Sequence, residues 1–224
     1  MNAEYSELRT KMVDGQIRTT DVTNPAVLLA MGSVPREAFV DARLRQLAYI
    51  DEDLEISPAG AGRPARFLLE PSPFAKLLQL AEIQPGDAVL DIGCGTGYSA
   101  AVISKLAASV TALECDPALA ERATATLVEL GYDDIAIVTG PLPGGHPANA
   151  PYDVIFVGGA VDELPQSLFE QLKEGGRLVT VEGRGNAGVA RVYLKDHSNV
   201  TGRRAFNAAI PQLPGFEKPY TFEF

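Results

Sequence analysis

Residues 88–101, AVLDIGCGTGYSAA, constrain the fold more than any other part of the chain. A short apolar run, Ala88-Val89-Leu90, leads to an acidic residue, Asp91. Gly93, Gly95 and Gly97 follow at alternate positions, and then comes a helix-compatible segment with Ala100, Ala101, Ile103 and Leu106 on its apolar positions. This is strand, tight glycine turn, helix. Glycine has no Cβ, so the backbone turns sharply and a ligand can approach it closely. A helix starting near Thr96 and Gly97 presents unpaired N–H groups and a positive dipole end, which suits a carboxylate or a phosphate.

Spacing separates the nucleotide sites that such a turn could serve. A dinucleotide site favours G-x-G-x-x-G. Here the third glycine arrives one residue early, and Tyr98 stands where the last glycine would be. A phosphate-binding P-loop ends in Gly-Lys-Ser/Thr, and the chain has no such ending. The pattern Asp-x-Gly-x-Gly-x-Gly resembles the S-adenosylmethionine (SAM) loop of class I methyltransferases. That resemblance implies SAM as cofactor and Asp91, Gly93, Cys94, Gly95, Gly97 and Tyr98 as its contacts. The next apolar run, Ser109-Val110-Thr111-Ala112-Leu113, ends in Glu114. That is about where a doubly wound fold places a carboxylate for ribose hydroxyls. A glycine turn in an α/β protein without a ligand is the alternative reading.

Composition sets the outer bounds. The chain has 224 residues, 46% of them hydrophobic, enough for one α/β domain with a modest extension and a buried core. Net charge is −10, with a sequence pI near 4.7, which argues against general binding to nucleic acid or anionic membranes. Cys94 and Cys115 both flank the proposed ligand loops and read as small packing residues. With His146 and His197 they form no metal-ligand spacing, so no metal is expected. The N-terminus has no apolar signal-peptide core and no run reaches membrane-spanning length, so a cytoplasmic protein is expected.

The chain divides into an N-terminal segment, 1–80, read as helical and irregular, and a core, 81–224, in which strand and helix alternate. Asn24-Pro25 is a helix start, with asparagine as N-cap and proline in the first turn, and the helix runs to about Gly32. Residues 57–73 are rich in proline, glycine and alanine and read as a loop, followed by a helix over 74–81. After the glycine loop, Asp116-Pro117 caps a helix that Gly131 ends. Strands are expected at 135–139, 154–157, 177–181, 187–195 and 201–206, with a helix over 165–173 stopped by Gly175-Gly176. Tyr220, Phe222 and Phe224 alternate in the tail, as in an edge strand or a segment packed on the sheet. The alternation predicts a doubly wound, mostly parallel, Rossmann-like sheet with the N-terminal segment as a cap over the carboxyl ends of its strands.

The pieces together resemble the protein-L-isoaspartate O-methyltransferase family, most clearly over residues 12–181. MVDGQI (12–17), VLLAMGSVPREAFV (27–40) and AYIDEDLEI (48–56) match that family's opening, which generic methyltransferases lack. VLDIGCGTGYSAAV, Glu114, LGY (130–132), APYDVI (150–155) and QLKEGGRLV (171–179) continue the match. The resemblance implies a SAM-dependent enzyme that methylates the carboxylate of isoaspartyl residues in damaged proteins. The ester then closes to a succinimide, which begins repair.

Two departures bear on the site. The family carries Gln-Thr-Ile-Ser-Gln-Pro before the glycine loop, with hydroxyls at the substrate carboxylate. An ungapped count from Val89 puts Arg66-Phe67-Leu68-Leu69-Glu70-Pro71 there, with Phe67 for the threonine and Leu69 for the serine. Phe67 and Leu69 are therefore expected at the methyl acceptor, with Ile56 nearby; Arg66 or Arg63 either holds a carboxylate by a bidentate contact or is a solvated loop charge. In the second departure, Gly140-Pro141-Leu142 replaces a Gly-Asp-Gly whose carboxylate faces the adenine, so adenine is expected in an apolar slot beside Cys115 and Leu142. Three readings stay open: an isoaspartyl methyltransferase, a SAM methyltransferase with another and unknown small acceptor, and a SAM-binding protein without turnover.

Overall fold

The computed structural model describes residues 3–60, 62–197 and 199–218. The aromatic tail, 220–224, lies outside them. The chain begins with helix α1 (Ala3–Met12), which widens into a π turn over Val13–Ile17 and tightens over Arg18–Thr20. Helix α2 (Pro25–Ser33) follows. Asn24 Oδ1 accepts from Ala26 N at 2.9 Å and Val27 N at 3.4 Å, and Pro25 takes the first helical position, where no donor is missed. Asn24→Ala should therefore cost about 1 kcal/mol of stability in urea denaturation.

Residues 57–73, read as a loop from their composition, instead contain structure. Strand β1 (Leu54–Ser57) pairs antiparallel with β2 (Arg66–Leu68), and helix α3 (Pro71–Ala81) starts three residues before the expected Phe74. Burial explains both. Arg66 and Leu68 alternate inward, and Pro71 opens α3 because an N–H at its first turn has no partner to lose. The register slips between Glu55 and Ser57, a bulge that sets Ile56 apart from the ladder. Helix α3 buries Phe74, Ala75, Leu77, Leu78 and Ala81 on one face.

The rest of the chain is β3 (Ala88–Ile92), α4 (Tyr98–Ile103), β4 (Ser109–Glu114), α5 (Pro117–Glu129), β5 (Ala136–Thr139), β6 (Tyr152–Val161), α6 (Gln166–Glu170), β7 (Leu172–Glu182), β8 (Val189–Asp196) and β9 (Asn199–Asn207). Seven strands form one sheet in the order β5-β4-β3-β6-β7-β8-β9. The first five are mutually parallel, β8 runs antiparallel to β7, and β9 runs antiparallel to β8. Residues alternate between the two faces, as a period of two requires. Val89, Val154 and Phe156 join one apolar cluster with α3, α4 and the N-terminal segment, while Leu90, Ile155 and Val157 join the other.

The helix expected over 165–173 is shorter. Leu172 already belongs to β7, and Gly175-Gly176 lies inside that strand, where β6 and β7 slip register. A Cβ on Gly176 would stand 2.9 Å from Lys173 O and 3.1 Å from Tyr152 O, so only glycine lets the bulge close. Strand order reverses at β3, with β4 on one side and β6 on the other. Open α/β sheets bind ligands at the carboxyl end of such a switch point.

Candidate active site

The glycine loop leaves β3 at that end. Gly93 N and Cys94 N both donate to Leu113 O, at 2.8 and 3.3 Å, and Gly97 N donates to Cys94 O at 2.9 Å. These bonds bend the loop over the end of β4. Gly93 and Gly95 hold φ of 85° and 57°, in the left-handed region that a side chain disfavours.

Asp91 is fully buried at the end of β3. Ser99 Oγ donates to its Oδ2 at 2.6 Å, while Oδ1 is buried without a partner. Burial raises this carboxyl to about 7; the Ser99 bond opposes the rise and the Glu114 charge adds to it.

Glu114, at the end of β4, is also fully buried, but it is saturated. Its Oε1 accepts from Cys115 N at 2.9 Å, Asp116 N at 3.0 Å and Arg66 Nη1; its Oε2 accepts from Gly95 N at 2.8 Å and Arg66 Nη2 at 2.9 Å. Arg66 arrives from β2, is 5% exposed, and also reaches Gly93 O at 3.3 Å. The expectation of an Arg66 free to hold an acceptor carboxylate is corrected here. Its fork is closed on Glu114, because alternation along β2 turns Arg66 toward the loop. Arg63 is engaged as well, with Asp116 Oδ2 at 3.0 Å.

Phe67 and Leu69 come together with Ile56, Phe74, Phe156 and Gly158 around a small cavity that also touches Gly93, Cys94, Tyr98 and Ser99. It has room for about one water molecule. Tyr98 lines it while its ring packs between Phe39 and Phe74, with its hydroxyl 3.7 Å from Met31 Sδ. A second hollow, lined by Pro58, Pro64, Arg66, Cys115, Asp116 and Pro214, lies where adenine was expected beside Cys115. Leu142 does not line that hollow; it is buried in the second apolar cluster. Burial pushes Cys115 up to about 11 and Cys94 up as well, so both thiols stay protonated near neutrality.

Two further residues stand against the loop and the cavity. Leu213, from the segment after β9, lies over the loop: a Cβ on Gly93 would stand 2.7 Å from Leu213 Cδ2, and one on Gly159 2.6 Å from Leu213 Cγ. Arg36 is fully buried and donates to Ala48 O and Leu69 O, each at 2.6 Å, which fixes the backbone beside the cavity. Nothing local marks Leu213. The run VPREAF did flag Arg36, but as resemblance rather than as a role.

Comparison with known proteins gives the family. A model of the family described as Protein-L-isoaspartate(D-aspartate) O-methyltransferase matches residues 7–209. The chain belongs to the protein-L-isoaspartate O-methyltransferase family. The match extends past Val181, where the resemblance read from sequence faded. A protein-L-isoaspartate O-methyltransferase of Koribacter versatilis (strain Ellin345) is 42% identical over 175 residues, covering 78% of this chain and 76% of the relative. Protein-L-isoaspartate O-methyltransferase 1 of Rhodopseudomonas palustris (strain HaA2) is 41% identical over 179 residues, covering 80% and 71%. A solved protein-L-isoaspartate O-methyltransferase superposes with a TM-score of 0.80 at 28% identity, over 92% of this chain and 66% of that one. A structure described as a Plasmodium falciparum protein of this kind in complex with S-adenosyl-L-homocysteine has a TM-score of 0.75 at 19% identity, over 92% and 97%, and shares the fold.

Among the described residues, no helix is long and apolar enough to cross a membrane. Exposed Glu174, Asp196 and His197 bring potential ligand atoms within 4.8 Å of one another at the β8–β9 turn, a surface grouping of charges and not part of the glycine loop.

Proposed function

We propose that this chain is a SAM-dependent carboxyl methyltransferase acting on isoaspartyl residues, with an acceptor wall more apolar than its family's hydroxyl pattern. The observation that carries the reading is the pairing of two buried carboxylates, Asp91 and Glu114, on either side of a left-handed glycine loop at the switch point of the sheet. The residue types fit the cofactor. Asp91 keeps a buried, unpartnered oxygen suited to an ammonium group, and Glu114 is a carboxylate suited to ribose hydroxyls. When bound, SAM supplies a methyl group on a positively charged sulfur.

The chain's own task is then positioning. A carboxylate acceptor is already anionic near neutral pH, so no base has to remove a proton from it. The site must align the acceptor and exclude water. Ile56, Phe67, Leu69 and Phe156 provide the dry wall. Arg36 holds Leu69 in place through its carbonyl.

The same wall handicaps an isoaspartyl carboxylate. Burying a charge beside groups that cannot hydrogen-bond it is costly, and Arg66 is spent on Glu114. Labelled methyl transfer to an isoaspartyl peptide and to its normal aspartyl twin tests the reading; transfer to neither would remove it. The Phe67→Thr, Leu69→Ser double substitution should raise kcat/KM on the isoaspartyl peptide by about tenfold or more, the worth of one hydrogen bond to a charged group. Equal rates before and after would show that the wall does not limit this acceptor. A different, less polar acceptor is the second reading, and the apolar lining at Phe67 and Leu69 favours it.

A further inference from the structure

We propose that the chain fills its own cofactor cradle: Arg66 stands where the ribose diol would be held, Leu213 and Ile56 cover the glycines, and SAM binds only by displacing them. The inference rests on the cofactor reading of Asp91 and Glu114 given above.

The ribose side is decided by valence. A carboxylate offers about four lone-pair directions. On Glu114 the donors are three backbone N–H groups, from Gly95, Cys115 and Asp116, both terminal nitrogens of Arg66, and the Cys115 thiol at 3.4 Å. Gly95 belongs to the glycine loop and Cys115 and Asp116 to the turn between β4 and α5, and these donors cannot leave without unmaking both. A pair of hydroxyls can reach Glu114 only where Arg66 now sits.

The glycine side is decided by volume. Glycines in such a loop leave room for a ligand to touch the backbone. In this chain Leu213 carbons take that room over Gly93, and Ile56 Cδ1 would lie 2.7 Å from a Cβ on Gly95. The cavity left beside the loop has room for about one water molecule.

Both occupants are built in. Ile56 and Arg66 come from the β1–β2 hairpin, at its bulge and at the start of its second strand. Leu213 comes from a strap that crosses back over the end of β6: Ala160 N donates to Pro211 O at 2.9 Å, Leu213 N donates to Ala160 O at 2.9 Å, and Gln212 Nε2 donates to Asp162 Oδ1 at 2.9 Å. Hairpin and strap border the same hollow, which Ser57, Arg66 and Pro214 line. A ligand that needs a minor, open arrangement binds with its affinity reduced by the fraction of molecules that are open.

Titration calorimetry with S-adenosylhomocysteine tests this on the full chain. Arg66→Gln should bind at least about tenfold more tightly than the unmodified protein, a difference of about 1.4 kcal/mol. Leu213→Ala, which leaves the charge pair untouched, should also gain affinity, and the double variant should exceed either. Arg66→Lys, which keeps the cation, should stay weak. If the unmodified protein binds as tightly as Arg66→Gln and Leu213→Ala, self-occupancy is wrong and the methyltransferase reading stands. If neither the unmodified protein nor any variant with a native circular dichroism spectrum binds, both this inference and the cofactor reading fall.

Discussion

Replacing Glu114 with alanine is expected to cost the fold about 3–5 kcal/mol, a large part of the stability of an ordinary domain. The reason is what remains. Arg66 is 5% exposed, and its remaining neighbours are a carbonyl at Gly93 and a thiol at Cys115. A buried guanidinium without a counter-charge cannot shed its proton, so the fold must open to hydrate it. The reverse substitution is milder. In Arg66→Gln the Glu114 carboxylate keeps its bonds from Gly95, Cys115 and Asp116, and the expected loss is below about 2 kcal/mol. Urea denaturation of the two variants, compared by midpoint at constant slope, measures the difference. Equal losses would mean that the backbone donors do not stabilise Glu114 independently. The asymmetry also separates the roles of the two residues: Glu114 is tied into the loop and Arg66 is added to it.

How much of this was readable beforehand depends on how local each cause is. The glycine loop, the strand before it and Glu114 are set within about thirty residues by spacing and period, and they stand where the spacing put them. Asn24 and Asp116 as caps were equally local. The hairpin was hidden because β2 is three residues long and sits among prolines and glycines, so composition outweighed the alternation of Arg66, Phe67 and Leu68. The same short alternation decided Arg66. An ungapped count puts it beside Phe67 and Leu69, but only the inward turn of β2 shows that its fork closes on Glu114. Leu213 had no local signal at all. Its position over Gly93 follows from two backbone bonds to Ala160, a contact between parts of the chain brought together by the sheet.

Asp91 provides the second large effect, and its sign depends on pH. Its carboxyl has a folded-state value raised from 3.8 to about 7, first by burial, with the Ser99 bond opposing and the Glu114 charge adding. A carboxyl raised on folding favours the native state fully below its unfolded value. That advantage is lost as pH climbs through the folded value, because the native state must then either keep a proton or bury a bare charge. At 1.36 kcal/mol for each tenfold change, the gap is worth at most about 4 kcal/mol between pH 4 and pH 8. Asparagine has the same shape, still accepts from Ser99, and never ionises. Asp91→Asn should therefore match the unmodified protein near pH 4 and exceed it by roughly 2–4 kcal/mol at pH 8. Denaturation midpoints at pH 4, 6 and 8 would show the two curves diverging, and parallel curves would mean that Asp91 titrates as an ordinary carboxyl. The substituted protein should at the same time lose affinity for any ligand that presents an ammonium group to the unpartnered Oδ1. A residue whose charge weakens the fold, at the end of the strand that opens the glycine loop, is not explained by stability and fits the binding role proposed for it.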